Sequence, residues 1–112
     1  MSVKIIGEKF SNLPWEARTE KNGLPLWRYS RNPIINREPV EGVSRIFNSG
    51  VCYRENRFVG IFRAERHDGV PMLNLGFSED GLHWNIEVQP IRVVDEGGQA
   101  VAYRYMYDPR LV

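Results

Sequence analysis

Cysteine is almost missing from this sequence: Cys52 stands alone among 112 residues. A single thiol forms no internal disulfide and excludes a zinc site built from cysteines. Long apolar runs are missing too. Nothing approaches the ~20 consecutive apolar residues of a membrane-spanning helix, and the N-terminus has no apolar stretch of the kind a secretory signal carries. Lysine is scarce, three residues against twelve arginines, and histidine is limited to His67 and His83. A net charge of +1 lacks the strong one-signed field of a nucleic-acid or anionic-membrane binder. No Gly-rich phosphate loop, no His-x-x-x-His pair and no Ser nucleophile elbow is present. These absences predict a cytoplasmic domain with no resident metal or cofactor and with neither nucleic acid nor membrane as partner.

What is present is 42% hydrophobic and 26% charged, the balance of one folded domain. A domain of this size buries roughly two-thirds of its unfolded surface. It is too short for a closed α/β barrel. Aromatic residues reach 12% and include Trp15, Trp27 and Trp84. Arginine forks bind carboxylates, phosphates and sugar hydroxyls, and aromatic faces stack on sugar rings; the same residues also pack on one another.

The first forty-odd residues differ from the rest. Leu13-Pro14-Trp15-Glu16, Gly23-Leu24-Pro25 and Asn32-Pro33-Ile34-Ile35 place proline at short intervals, and each proline removes a backbone donor and biases its predecessor away from helix. Residues 1–42 therefore read as an extended arm anchored by Trp15, Trp27, Tyr29, Ile34 and Ile35, with at most one helical turn near residues 14–18. Residues 43–112 read as strands. Runs at 45–53, 57–63, 73–77 and 84–88 are rich in β-branched and aromatic residues or alternate with period two. Glu55-Asn56, Asp68-Gly69 and Ser78-Glu79-Asp80-Gly81 mark the turns between them. In the third and fourth runs Leu73, Leu75, Phe77, Trp84, Ile86 and Val88 are the expected inward set. Four short strands joined by tight turns predict an all-β fold, an antiparallel meander with the form of one propeller blade. Asp95-Glu96-Gly97-Gly98-Gln99 reads as a solvent loop, and residues 100–107 as a further strand-like run with no successor, the start of a second, incomplete unit.

Three stretches carry candidate chemistry. Phe47-Asn48-Ser49-Gly50 sets an amide and a hydroxyl in an apolar strand. Such groups are costly when buried without partners, so they either satisfy the backbone at a bulge or line a polar pocket; Gly50 marks a bend or a close approach. Arg63 ends an apolar strand, with Glu65 in reach for an ion pair. Tyr105-Met106-Tyr107-Asp108-Pro109-Arg110 sets a carboxyl between aromatic and cationic neighbours, the setting of a general acid; it is equally a turn held by an Asp–Arg pair. Cys52 reads as inert core and His83 as solvated or packing.

Taken in order, these stretches resemble one family. Asn12-Leu13-Pro14-Trp15-Glu16, Trp27-Arg28-Tyr29-Ser30-Arg31-Asn32-Pro33-Ile34-Ile35, Ile46-Phe47-Asn48-Ser49, Gly60-Ile61-Phe62-Arg63, Gly76-Phe77-Ser78-Glu79-Asp80-Gly81-Leu82-His83-Trp84 and Tyr107-Asp108-Pro109-Arg110 look like the N-terminal part of the glycoside hydrolase family 130 mannoside phosphorylases, nearest in appearance to the branch acting on mannosyl-glucose. The resemblance implies a five-bladed β-propeller with its site at the axial mouth. It implies inverting phosphorolysis of a β-mannoside to α-mannose 1-phosphate, with inorganic phosphate as co-substrate. By motif match Asp108 is the general acid, acting through a hydroxyl of the mannosyl ring. Asn48, Ser49, Arg63 and Tyr107 match positions that contact the mannosyl unit. The chain departs from the family pattern at Gly50, where a small apolar residue is usual, and at Ala64-Glu65-Arg66-His67, where an acidic pair is more common.

A single carboxyl is chemically sensible for such a reaction. An inverting glycosidase uses a second carboxylate, roughly 6.5–9.5 Å from the acid, to activate water. Phosphate arrives already anionic and needs donors instead, which in the family come mostly from chain beyond the matched portion. The expected state of these 112 residues alone is therefore inactive. Two other readings stay open: a non-catalytic β-domain that binds glycans or a protein partner, and a mannoside hydrolase of the same family. Open strand edges also invite pairing, so homo-oligomerisation is among the expectations.

Overall fold

A computed structural model describes residues 16–17 and 28–112. Trp15, Trp27 and the helical turn expected near residues 14–18 lie outside the described residues, apart from Glu16 and Ala17. Within the described part of the arm, residues 28–42 form turns and bends without strand or helix. Tyr29 and Ile35 are half-buried and Ile34 is exposed. Ser30 donates its backbone N–H and its hydroxyl to the Glu16 carboxylate. Those bonds, the hydroxyl's foremost, hold the Glu16 pKa below its ordinary value.

Four strands follow: β1 (Val43–Arg54), β2 (Arg57–Arg66), β3 (Pro71–Ser78) and β4 (Asn85–Pro90). They form one antiparallel sheet in sequence order, the blade-like all-β meander predicted. The β1–β2 connection is the two-residue turn Glu55-Asn56, with φ of 53° and 62°. Two positive φ values match the right-handed twist of the flanking strands. At the β2–β3 loop Gly69 has φ 81° and donates to the Arg66 carbonyl, while Asp68 accepts from the Val70 N–H.

The β3–β4 turn is organised by one carboxylate. Asp80 Oδ1 accepts from the N–H groups of Leu82 and His83, both at 2.8 Å, and from the Ser78 hydroxyl; Oδ2 meets His83 Nδ1 at 2.6 Å. The His83 backbone bond, then its ring, hold the Asp80 pKa far below the ordinary carboxylate range. Trp84 is thereby aimed back over the sheet, its indole N–H on the Gly81 carbonyl.

The burial phase of β3 is the reverse of the expected one. Asn74 and Ser78 are 1% and 4% exposed, whereas Leu73, Leu75 and Phe77 are half-buried. The reason is a trough. Gly60 pairs with Gly76 across the β2–β3 ladder, and the Phe62 ring fills the space that two Cβ atoms would take. Trp84 caps Phe62 edge-on at 4.9 Å. Phe58, Phe62, Ala64, Ile86 and Val43 make the apolar core. Asn74 is stabilised there by donating to the Glu87 and Val88 carbonyls. The β3–β4 register shifts between Asn74 and Gly76, so Val88, an expected inward residue, is 47% exposed.

Cys52 is half-buried rather than fully enclosed. Residues 95–99 form the expected exposed loop, closed by Asp95. The run 100–107 forms no ladder among the described residues. Val94 bridges Ala100, Val101 donates to the Val93 carbonyl and Met106 to that of Pro71. High β-propensity makes no strand unless an edge faces it.

Candidate active site

The site is built where β1 leaves its regular pairing. The register with β2 shifts between Ile46 and Ser49, so Phe47 and Asn48 stand outside the ladder, as in a β-bulge. Ser49 donates its hydroxyl to the Phe47 carbonyl at 2.9 Å. Of the two roles left open for this stretch, Ser49 therefore serves the backbone of the bulge. Asn48 points outward instead.

The C-terminal segment meets this bulge. Asn48 Nδ2 donates to Asp108 Oδ1 at 2.7 Å, across sixty residues of chain. Asp108 has φ 52°, a left-handed conformation uncommon for a side-chain-bearing residue. Pro109 behind it is buried. Its carbonyl and the Leu111 N–H lie where a side chain on Gly50 would be, each 3.3 Å from an ideal Cβ, so Gly50 is a point of close approach. The Asp–Arg turn pair does not form: Arg110 donates to the Pro109 carbonyl.

Arg63 enters from β2. The ion pair with Glu65 is replaced by another, because Glu65 is held by Arg45 through contacts of 2.9 and 3.1 Å. Residues 63 and 65 share one face of β2, but Arg45 sits directly opposite Glu65 in the ladder. The Arg63 guanidinium lies instead 5.1 Å from the Phe47 ring and 5.9 Å from the Tyr107 ring. Its Nε is buried and bonds to nothing among the described residues. Cation–π contact supports such a cation without neutralising it, so its charge remains available.

Asn48, Arg63, Tyr107 and Asp108 thus converge on one exposed face, with Ser49 beside them but turned to the backbone. Phe47, 41% exposed and contacted by both Arg45 and Arg63, is the residue the sequence analysis missed. A large aromatic next to a polar pair in a strand was the available signal. Tyr105 stacks on Tyr107 at 5.7 Å, which extends the aromatic surface. Among the described residues no group of three His, Cys, Asp or Glu side chains could hold a metal ion, and no helix is long and apolar enough to cross a membrane.

One carboxylate, one amide, one free arginine and two exposed aromatic rings suit a polyhydroxylated ring better than a metal or a flat heterocycle. The family model for glycoside hydrolase family 130, described as beta-1,4-mannooligosaccharide phosphorylase, matches residues 7–112. The chain belongs to glycoside hydrolase family 130. A beta-1,4-mannooligosaccharide phosphorylase from Ruminococcus albus is 36% identical over 120 residues, covering 99% of this chain and 35% of the relative. The chain therefore spans about a third of that relative's length. The fold of family 130 is a five-bladed β-propeller, and the β1–β4 sheet has the form of part of one.

Proposed function

We propose that this chain is the N-terminal part of a β-mannoside phosphorylase and that Asp108 is its general acid. The observation that carries the proposal is the Asn48–Asp108 bond, which sets a carboxyl on an open face next in sequence to Tyr107, whose ring the Arg63 guanidinium approaches to 5.9 Å. The family match and the name of the Ruminococcus relative support the reaction class.

In this reading the mannosyl ring stacks on the aromatic surface of Phe47 and Tyr107, while Arg63 takes its hydroxyls. Asp108 gives its proton to a mannosyl hydroxyl oxygen as that hydroxyl passes its own proton to the glycosidic oxygen. The glycosidic C–O bond breaks, and a phosphate oxygen bonds to the anomeric carbon from the opposite face, with inversion to α-mannose 1-phosphate. Phosphate needs no general base because it is already anionic. It is the co-substrate, and no organic cofactor takes part. Among the acceptors, we favour glucose, on the motif pattern of the chain; the relative's name favours a mannooligosaccharide. The reaction belongs in the cytoplasm, where phosphate and sugar phosphates are retained.

The test is product analysis with the full-length protein on mannosyl-glucose and on β-1,4-mannooligosaccharides, with and without phosphate. Phosphate-dependent α-mannose 1-phosphate supports the proposal, and the faster substrate identifies the acceptor. Free mannose at equal rate without phosphate makes the protein a hydrolase. Saturable mannoside binding in calorimetry with no turnover makes it a glycan-binding domain. Asp108→Asn lowers kcat by about 10²–10⁴-fold if the carboxyl is the acid, and unchanged turnover removes it from the mechanism.

A further inference from the structure

We infer that Asn48 and Gly50 are positioning residues for the Asp108 carboxyl, and that Asn48 selects which of its oxygens delivers the proton. The inference rests on the reading of Asp108 as the acid. Asp108 is held in a left-handed conformation, φ 52°, although the residue before a proline favours extended backbone. Such a conformation persists only where its surroundings over-determine it. Both restraints come from β1. Asn48 holds the side chain through its 2.7 Å bond to Oδ1. Gly50 admits the backbone, since the Pro109 carbonyl and the Leu111 N–H approach to 3.3 Å of its missing Cβ.

The chemical consequence concerns the two carboxyl oxygens. A carboxylate only accepts, so the Asn48 amide presents its N–H to Oδ1. The same N–H donor occupies Oδ1 when the acid is neutral, which leaves the proton on Oδ2. Oδ2 bonds to nothing among the described residues, and Arg110 is turned to the Pro109 carbonyl. Oδ2 is the proton-delivering oxygen. Gly50 seats the Asp108 segment so close to β1 that a Cβ there would displace the Pro109 carbonyl and the Leu111 N–H.

Asn48→Ala and Gly50→Val in the full-length protein test this. Misplacing a reacting group by roughly 1 Å costs about 10²-fold, so kcat on mannosyl-glucose falls by about that factor in Asn48→Ala, with KM held within about threefold. With a dinitrophenyl β-mannoside, whose leaving group needs little protonation, most of the loss disappears. Gly50→Val behaves the same way while keeping its thermal transition. A rise in KM with kcat unchanged, or equal losses on both substrates, makes Asn48 a plain sugar contact and overturns the inference. A crystal structure of Asn48→Ala supplies a readout without activity: an unmoved Asp108 carboxyl also overturns it. Absence of phosphate-dependent turnover in the unsubstituted protein is a different failure, that of the functional reading.

Discussion

Gly60 faces Gly76 directly across the β2–β3 ladder, and the Phe62 ring occupies the trough between them. An ideal Cβ on Gly60 would lie 2.6 Å from that ring and 2.9 Å from Trp84; one on Gly76 would lie 2.8 Å from Phe62. Two glycines in paired strands ordinarily weaken a sheet. Here they let an aromatic ring approach the backbone more closely than a Cβ would allow. Gly60→Ala forces Phe62 or Trp84 off its position, and we expect a loss of about 1–3 kcal/mol, read from denaturant midpoints at unchanged slope.

Asn74 is the most buried polar side chain of the described sheet, and it joins β3 to the carbonyls of Glu87 and Val88. Asn74→Ala leaves those carbonyls without their donor. The expected cost is about 1–3 kcal/mol, and amide hydrogen exchange in β4 should accelerate more than in β1. Equal acceleration in both strands would count against a local role.

Glu55 adopts φ 53° in the β1–β2 turn, where asparagine or glycine is preferred. Its ion pair with Arg54 is 3.6 Å long and well exposed, so little is lost with it. Glu55→Asn is expected to raise stability by about 0.5–1 kcal/mol, visible as a higher thermal midpoint.

Asp80 makes acid sensitivity a property of the β3–β4 turn. Its folded-state pKa lies below the ordinary 3.8 because the turn N–H groups and His83 favour the charged form. In the window below that ordinary value the unfolded chain binds the proton first, so stability rises with pH there. The contribution is complete above about pH 4 and is lost as pH falls through the depressed folded value. Asp80→Asn should flatten the stability profile on the acid side, measured by urea unfolding at stepped pH. A profile as steep as that of the unsubstituted protein would assign the acid sensitivity elsewhere.

Arg63 has its Nε buried and unpartnered between two aromatic rings. Arg63→Met keeps an unbranched stem that reaches about as far as Nε and removes the donors. Hydrogen bonds from a charged donor are worth about 1.5–3 kcal/mol, so mannoside affinity should fall by roughly ten- to a hundredfold. The melting curve should move little. Unchanged affinity would make Arg63 a packing residue.

Much of the fold was legible in the chain. The turn residues at 55–56, 68–69 and 78–81 mark where strands end, because they carry local conformational preferences that need no distant partner. Period-two alternation then implied strands between them, and the order of turns implied a meander. The candidate site was legible differently, through the family motif that contains Asn48, Ser49, Arg63, Tyr107 and Asp108. Burial was the weaker reading. Leu73, Leu75 and Phe77 looked like the inward set because they are apolar, but glycine is invisible to a hydropathy pattern, and the Gly60–Gly76 trough is what draws Phe62 and Trp84 to the other face. The Arg63–Glu65 and Asp108–Arg110 pairs were read from proximity along the chain, and both partners are engaged elsewhere.

Sequence alone therefore determined the all-β class, the four strands and their turns, and the family to which the chain belongs, since each of these depends on local preference or on ordered motifs. Tertiary structure decided which face of the sheet is covered, that Glu65 belongs to Arg45, and that Asn48 meets Asp108 across sixty residues of chain. Those outcomes depend on strand register and on the path of residues 91–111. Register is a collective property of a ladder, and no single stretch of sequence encodes it.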